Sequence, residues 1–482
     1  MERLNRRDFL KKSFAAGATL ALASSYSRIL GANDEIRIAV VGFHSKGMQH
    51  IQQFHEMPGV RVVALCDVDQ NILDRAASRF KENNEPIKTC KDVRKILDDK
   101  EIDAVAIATP NHWHSLMGIW ACQAGKDVYL EKPISHDIWE GRKLVEAARK
   151  YNRIVQAGTQ NRSDVGMRAA KEYIDAGNLG KILFAHGVWF KNRGPIGKVD
   201  GEQKIPEGVD YDLWTGPAAM KPLMRKELHY DWHWIWEYGN GDLGNLGAHQ
   251  IDDCRFLIEG LPKYPKRVMS LGGRFVWDDD GQTPNVQMAV YDFEETPIII
   301  EVRNLPRQKG LRGVMDAVRG TRMGNVIQCE QGYLVVGRGG GWAYDNDKNR
   351  IKQFPGDGGG EHQKNFIDAM RSRKPDDLHA EIEEGHYSAA LCHVANISYR
   401  HGQGKDINEV KEIYPGLDEV QETLETVKTH LSKNEITDPV TYGPWLEIDA
   451  KKENFKGKFS KEANNMLKRT EYRKPFVVPE KV

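Results

Sequence analysis

The sequence has few cysteines, no excess of either charge and no long apolar run, and each absence argues against a class of protein. Its six cysteines are scattered over 482 residues without zinc-type spacing, so no metal centre is predicted and buried free thiols are expected. Lysine plus arginine and aspartate plus glutamate number 69 each, which argues against a nucleic-acid partner. No stretch approaches the ~18 apolar residues of a transmembrane helix.

Residues 1–32 have the composition of a bacterial export signal. Arg6 and Arg7 are adjacent in a basic stretch, and residues 14–23 form a short apolar run. The run contains Ala21-Leu22-Ala23, a candidate cleavage site, and Leu30-Gly31-Ala32 is a weaker one. The run is too short to span a bilayer unaided, and an uncleaved anchor is the alternative. We predict twin-arginine (Tat) export to the periplasm or beyond, with the Tat machinery as a partner.

Apolar strand patterns alternate with helical patterns over residues 33–160. Continuous apolar runs such as 36–41 and 104–108 are typical of strands that are buried on both faces. This alternation predicts an α/β Rossmann domain with a doubly wound parallel sheet.

Strand patterns then follow one another with few helices between them. They predict an α+β domain over 161–440 with a large open, mostly antiparallel sheet. Residues 192–245 form a long irregular insert, which is more often functional than decorative. Helical patterns return over 362–400, and the polar stretch 441–482 is interpreted as a C-terminal arm on the surface.

The first strand pattern ends in a glycine-containing turn that leads into a helix. The turn runs Gly42-Phe43-His44-Ser45-Lys46-Gly47 and partly matches the dinucleotide fingerprint G-x-G-x-x-G, with His44 in place of the middle glycine. Asp67 ends the second strand, close to the spacing of the acid that binds the adenosine ribose, although a helix-capping turn residue is the alternative. Its carboxylate would repel a 2′-phosphate. Predicted NAD contacts, with NADP disfavoured, are therefore Gly42, His44, Ser45, Gly47 and Asp67.

Two further clusters follow strand patterns. Thr109-Pro110-Asn111-His112-Trp113-His114 comes after the third strong strand, and Glu131-Lys132-Pro133 follows a later one. Both fall at the carboxyl ends of parallel strands, where doubly wound sheets bind ligands. Together with the glycine turn, they resemble the glucose–fructose oxidoreductase/inositol dehydrogenase family (Gfo/Idh/MocA) over about residues 35–400, and its Tat-exported branch fits best.

The resemblance implies roles for residues at these strand ends. Lys132 matches the catalytic lysine near the nicotinamide, and Pro133 matches the proline that fixes its turn. A partly desolvated lysine beside a cation can have a lowered pKa, which suits it to proton transfer. The residues assigned to the cofactor here are Thr109, Pro110, Asn111, His114, Glu131 and Lys132, and Asn111 and His114 are also close to the substrate side.

The second domain contributes a glycine-rich turn that leads into His249 and resembles the family's D-x-x-x-H motif. His249 is thereby implied as an acid or base. Asn245 stands where the family has aspartate, and because an amide cannot act as a base, simple dehydrogenase chemistry is in doubt. Asn245 could instead hydrogen-bond His249 or a sugar hydroxyl. Asp252 and Asp253 follow at helical spacing and could face His249.

Three tryptophans and two histidines lie within residues 229–236. We interpret them as a sugar platform, with aromatic faces against pyranose rings and imidazoles on hydroxyls; a hydrophobic loop core is the alternative. The residues assigned to the substrate are Gln160, Trp232, His233, Asn245, His249 and Asp252, with Arg162, Lys191 and Arg193 as further candidates.

The combined expectation is an NAD(H)-dependent oxidoreductase that acts on a CH–OH group of a sugar, polyol or glycoside. Export limits access to fresh NAD, so a tightly held, recycled cofactor is expected. An NAD-dependent enzyme that cleaves or epimerises glycosides through transient oxidation is the first alternative, and a non-catalytic sugar-binding protein is the second. The resemblance also implies a homo-dimer or homo-tetramer, packed through the open sheet faces.

Overall fold

The computed structural model describes residues 35–482, so the predicted export signal lies outside the described residues. Six parallel strands form the first sheet in the order β3-β2-β1-β4-β5-β6. They are β1 (Ile36–Val41), β2 (Val60–Cys66), β3 (Lys88–Cys90), β4 (Ala104–Ile107), β5 (Asp127–Glu131) and β6 (Val155–Gly158). The helices between them are Lys46–His55, Gln70–Glu82, Val93–Asp98, Asn111–Gln123 and Ile138–Lys150. The predicted Rossmann-type sheet is confirmed.

Helices cover both faces of this sheet, which explains the uninterrupted apolar runs. Every residue of β4 and β5 is buried. Strand β3 has no apolar run because its sequence is Lys88-Thr89-Cys90, and the sequence analysis missed it.

The second sheet has twelve strands and is mostly antiparallel, as predicted; its β7–β10 pair is parallel. Its main path runs β14-β13-β12-β11-β7-β10-β9-β8-β16-β15, and β17 pairs with β8 and β18. These strands are β7 (Ile182–Phe190), β8 (Arg267–Gly273), β9 (Val286–Asp292), β10 (Ile298–Arg303), β11 (Met323–Cys329), β12 (Gly332–Gly337), β13 (Gly340–Asp345), β14 (Arg350–Pro355), β15 (Gln403–Lys405), β16 (Val440–Tyr442), β17 (Leu446–Asp449) and β18 (Asn454–Lys456).

Helices pack on both faces of this second sheet. The helices after the Rossmann sheet are Val165–Asp175, Ala248–Leu257, His362–Ser372, Ile382–Arg400, Asp418–Lys433 and Ser460–Asn464. Of these, His362–Ser372 packs Phe366 and Ile367 into the Rossmann core. Asp418–Lys433 packs Leu424 and Val427 against the outer face of β8 and β9. Beside this contact, the buried His186 of β7 hydrogen-bonds Glu301 and Glu419. The chain therefore covers part of the sheet face that the oligomer prediction had treated as open.

The predicted arm, 441–482, begins in the second sheet and ends on the Rossmann domain. After β18 and the short helix Ser460–Asn464, the chain crosses over, and the buried Phe476 ring packs edge-on against Trp113, with 5.3 Å between ring centroids. The arm thus contacts both the second sheet and the Rossmann domain.

The cysteines, the apolar helices and the insert complete the description of residues 35–482. All six cysteines are free thiols, and all but the half-buried Cys90 are buried. No helix in this range is long and apolar enough to cross a membrane. The insert contains only short helical segments. They are Tyr211–Thr215, Asp231–Trp234 and a π-type turn at Leu243–Gly247, after which the helix Ala248–Leu257 begins.

Candidate active site

A cleft with a volume of about 420 Å³ runs along the carboxyl edge of the Rossmann sheet. The turns after β1, β2, β4 and β5 form one side, and the insert and the start of helix Ala248–Leu257 form the other. Of the residues assigned to the cofactor or the substrate, only Gly47 and Asp252 do not line it; of the further candidates, Lys191 and Arg193 line it and Arg162 does not. The lining ones are Gly42, His44, Ser45, Asp67, Thr109, Pro110, Asn111, His114, Glu131, Lys132, Gln160, Trp232, His233, Asn245 and His249.

The turn after β1 requires glycine at both ends. Gly42 has a φ of +74°, and a Cβ there would lie 2.7 Å from the Thr109 side chain. A Cβ on Gly47 would lie 2.1 Å from the Gly42 carbonyl oxygen, so Gly47 supports the turn from behind. No side chain caps helix Lys46–His55, which leaves its first N–H groups available to a phosphate. These features fit a dinucleotide pyrophosphate.

Asp67 stands at the end of β2 beside this turn. Its carboxylate accepts hydrogen bonds from the backbone N–H of Phe43, at 2.9 Å, and of Asp69, at 3.1 Å. Burial raises the pKa of Asp67 above its ordinary value, while these two N–H groups oppose that rise. Each oxygen keeps a lone pair for a ribose hydroxyl.

The insert is fastened over the adenosine end of the cleft. His229 Nε2 lies 2.9 Å from an Asp69 carboxylate oxygen, and its ring stacks on His44, with centroids 5.2 Å apart. Backbone hydrogen bonds join Gln70 N–H to the Gly208 carbonyl and Asp210 N–H to the Val68 carbonyl. His44, the departure from the glycine fingerprint, therefore serves as a contact between the two domains.

Lys132 lines the cleft, and a cis peptide bond joins it to Pro133. Its Nζ donates to the backbone carbonyl of Asn245 and, at 3.0 Å, to the Asn245 side-chain oxygen. Burial lowers the pKa of Lys132 to about 8, although the adjacent Glu131 carboxylate opposes this. A substantial neutral fraction near neutral pH makes Lys132 suitable as a base.

Glu131 is held from three sides. Its Oε1 lies 2.9 Å from His50 Nε2 and accepts from Gln160 Nε2 at 2.8 Å, and Lys46 Nζ lies 4.0 Å away. Burial would raise the pKa of Glu131, but the His50 hydrogen bond and the nearby cations hold it well below its usual range. Gln160 also donates to the Tyr129 hydroxyl, so only its carbonyl oxygen remains for the predicted substrate contact.

His249 is the second residue of the helix Ala248–Leu257, which follows the π-type turn that carries Asn245. Its ring stacks on Trp189, with centroids 6.1 Å apart, and its buried Nδ1 has no hydrogen-bond partner among residues 35–482. Burial, together with the Lys132 charge, lowers the pKa of His249 to about 3, so the ring is neutral. The Asn245 side-chain oxygen binds Lys132, so the unusual asparagine orients the lysine.

The prediction that Asp252 contacts the substrate is wrong. Asp252 is fully buried, and its two oxygens accept from Arg162 Nε at 2.8 Å and from Ser388 Oγ at 2.6 Å. Arg162, another candidate for the substrate, is thereby bound in the interior. Asp253 accepts from two asparagine amides instead of facing the cleft. Both carboxylates fix the helix that presents His249.

The aromatic insert divides between two surfaces. Trp232 and His233 line the cleft, and their rings stack with centroids 3.7 Å apart. Trp232 also belongs to the hydrophobic core of the insert, as the alternative interpretation expects, and the sugar platform stays a prediction. Trp234 donates to Asp242, and Trp236 lies on another cleft. Of the three predicted platform tryptophans, Trp232 alone lines this cleft within residues 35–482.

Two residues after β4 support the neighbouring turns. Asn111 donates to the side chain of Asn240 at 3.0 Å. The buried His114 ring bridges the carbonyls of Pro133, at 2.6 Å, and Thr109, at 2.7 Å. Burial lowers the pKa of His114, and a neutral ring donates to only one of these carbonyls. His114 thus links the two strand-end turns that carry the site.

A larger cleft, of about 990 Å³, lies between Trp236, Arg400 and the C-terminal arm. His136 and Asp137 line it from the end of the segment after β5, but its lining does not include the Gly42–Gly47 turn, Asp67 or Lys132. Its Lys221 and Arg469 both pair with Glu237. The smaller cleft is therefore the candidate active site.

In residues 35–482, no group of three His, Cys, Asp or Glu side chains is placed to hold a metal ion.

Sequence reasoning missed several residues in or behind this cleft, including Lys46, Tyr230, Arg338 and His50. Lys46 and Tyr230 line it directly, and Arg338 reaches it from the two-residue turn between β12 and β13. His50 orients Glu131 from behind. The turn Gly337-Arg338-Gly339-Gly340 was a detectable hairpin signal, but nothing local indicated what it would face.

Two family profiles match the chain. Residues 36–159 match the oxidoreductase family's NAD-binding Rossmann fold, and residues 186–293 match that family's C-terminal alpha/beta domain. Together they span both halves of the cleft.

The curated relatives include glycosyl hydrolase family 109 proteins. One from Shewanella baltica (strain OS185) is 30% identical over 174 residues, and one from strain OS155 is 32% identical over 174 residues. Each match covers 31% of this chain and 38% of the relative, so the matched stretch spans well under half of either protein.

Solved structures share the fold at low sequence identity. The WlbA dehydrogenase from Bordetella pertussis, in complex with NADH and UDP-GlcNAcA, has a TM-score of 0.54 at 18% identity and covers 74% of this chain and 94% of its own. A putative NADPH-dependent oxidoreductase from Desulfitobacterium hafniense has a TM-score of 0.57 at 15% identity, with coverages of 76% and 96%. With both family profiles matched, the chain belongs to the Gfo/Idh/MocA oxidoreductase family.

Proposed function

We propose that this chain is an exported, NAD(H)-dependent oxidoreductase that oxidises a CH–OH group of a sugar, polyol or glycoside. The observation that carries the proposal is that Lys132, with its pKa of about 8, and the neutral His249 line one dinucleotide-type cleft. NAD is favoured over NADP because the Asp67 carboxylate would meet a 2′-phosphate.

Bound nicotinamide would accept the hydride from the carbinol carbon, and the chain's own residues would move the proton. Protonating His249 is unfavourable at its pKa of about 3, so Lys132 is the better acceptor of the hydroxyl proton. Asn245 orients the lysine, and the His249 ring, which lines the cleft, would position the hydroxyl. The Gly42–Gly47 turn and Asp67 would hold the cofactor.

The proposal is tested by purifying the protein, measuring bound nicotinamide by mass spectrometry, and following absorbance at 340 nm after sugars are added. Lys132→Ala should abolish turnover while the cofactor remains bound. Lys364→Ala, on an exposed helix face, is the matched control. Absence of bound nicotinamide, together with no response to added NAD, would refute the redox proposal.

A redox-neutral enzyme that cleaves glycosides through transient oxidation is the second candidate, favoured by the glycosyl hydrolase family 109 relatives. Oxidation acidifies the neighbouring C–H, and Lys132 would take that proton as the glycosidic oxygen leaves. Water would then add to the resulting double bond, and the hydride would return to the substrate. Release of p-nitrophenol from nitrophenyl glycosides without NADH accumulation would select this candidate over net oxidation. If the protein is instead a non-catalytic sugar-binding protein, sugar should bind without turnover, and neither Lys132 nor His249 should be required for that binding.

Export and cofactor retention form one linked part of the proposal. A twin-arginine signal over 1–32 would deliver the protein folded, and the insert fastened over the adenosine end by His229 would slow cofactor loss. Export should fail in the Arg6→Lys/Arg7→Lys variant, with localisation followed by cell fractionation.

A homo-oligomer is also proposed. Because helix Asp418–Lys433 covers part of the sheet, the interface of the oligomer would use the remaining strands.

A further inference from the structure

The catalytic end of the cleft carries an excess of positive charge. Besides Lys132, it is lined by Lys191, Arg193 and Arg338. Both arginines line the same cleft as Lys132 and His249, and the charge of Arg193 contributes to the lowered pKa of Lys132 while that of Arg338 contributes to the lowered pKa of His249. Lys191 follows β7 two residues after Trp189, on which the His249 ring stacks.

The carboxylates at this end are already engaged. Glu131 is bound by His50 and Gln160. Asp242 is buried, accepts from Trp234 and Asn304, and lies 3.3 Å from Arg193. Neither carboxylate therefore neutralises the other two cations.

Lys191 and Arg338 lack a counter-ion. Within residues 35–482, the exposed Lys191 ammonium forms no hydrogen bond or ion pair. Arg338 donates only its Nε, to the Gly358 carbonyl at 3.3 Å, so both terminal nitrogens of its exposed guanidinium remain available. A neutral ligand that covered them would remove two cations from water without compensation, which is unfavourable.

We propose that the substrate carries a carboxylate, as in a uronic acid or its glycoside, and that Arg338 and Lys191 bind it. This inference rests on the proposed oxidoreductase function of the same cleft. A guanidinium presents two parallel N–H donors that match a carboxylate, and the lysine adds a point charge beside it. The cofactor phosphates belong to the Gly42–Gly47 turn at the other side, so they do not account for these two cations.

The test compares matched substrate pairs with the cofactor-loaded enzyme. Methyl glucuronide is measured against methyl glucoside, and galacturonate against galactose, by kcat/KM and by calorimetric binding. We expect the acid to be preferred by about tenfold or more, the value of one charge-assisted hydrogen bond. Arg338→Gln and Lys191→Gln should each reduce that preference, mainly through KM for the acid, and Arg338→Lys should restore part of it.

The controls separate this inference from the proposed function. Arg79→Gln removes an exposed cation on the far side of the Rossmann domain and should leave the preference unchanged. Equal use of acid and neutral sugar, or a preference that survives Arg338→Gln, overturns the carboxylate assignment alone. Preferential use of a sugar phosphate overturns it in favour of a phosphate. If no sugar is oxidised, the redox function fails, and calorimetric binding of the acid that is lost in Arg338→Gln still supports the site.

Discussion

The Asn245→Asp substitution tests the role assigned to Lys132 most directly. The Asn245 side-chain oxygen lies 3.0 Å from Lys132 Nζ, so aspartate would place a negative charge against the ammonium. An opposite charge at such a distance shifts a pKa by about one to three pH units. The pKa of Lys132, about 8 in the native chain, would rise accordingly.

The consequence is a loss of base at neutral pH. At pH 7 about one tenth of a lysine with a pKa of 8 is neutral, and the shift would reduce this fraction by about tenfold to thousandfold. In the oxidative direction, kcat/KM should therefore rise with pH through about 8 in the native enzyme and only at higher pH in Asn245→Asp.

The assay is the pH profile of kcat/KM for NADH formation, with bound cofactor quantified in each sample. Asn83→Asp, at an exposed helix end away from the cleft, is the matched control and should keep the native profile. Superimposable profiles for Asn245→Asp and the native enzyme would refute Lys132 as the titrating base. A uniform drop without any pH shift would point to lost orientation instead.

Three further predictions use other parts of the structure. Asp67→Ala should reduce the preference for NAD over NADP by about tenfold, measured by calorimetry on the cofactor-free protein, because the charge that opposes a 2′-phosphate is gone; an unchanged ratio would place specificity elsewhere. Burial alone would lower the pKa of His186, but its hydrogen bonds to two glutamates raise it to about 8. The resulting stabilisation, about 2 kcal/mol, is complete below pH 6.5 and lost as pH rises through 8, so urea unfolding of the native chain, but not of His186→Gln, should show this loss. Gly47→Ala should lower bound nicotinamide severely, since its Cβ would lie 2.1 Å from a turn carbonyl, whereas Gly194→Ala meets no atom within 4 Å and should retain the cofactor.

Local patterns predicted the elements that carry their own signal. Strand β7 has the predicted bounds, 182–190, because its apolar run is bounded by polar residues and a glycine. Strands β13 to β18 went unrecognised because they are short or polar and gain their pairing from neighbours. The glycine turn and Glu131-Lys132-Pro133 were identifiable because their geometry depends on adjacent residues.

What the sequence by itself determined was therefore the alternation of strands and helices in the Rossmann domain, the strand-end turns and the assignment of Lys132 and His249 to one site. The tertiary structure decided the partners: Asp252 binds Arg162, Asn245 binds Lys132, and Arg338 reaches the cleft from a distant hairpin. These residues are separated by about ninety or more positions along the chain. Periodicity and turn chemistry act over a few residues, whereas which buried charge meets which depends on how whole layers pack.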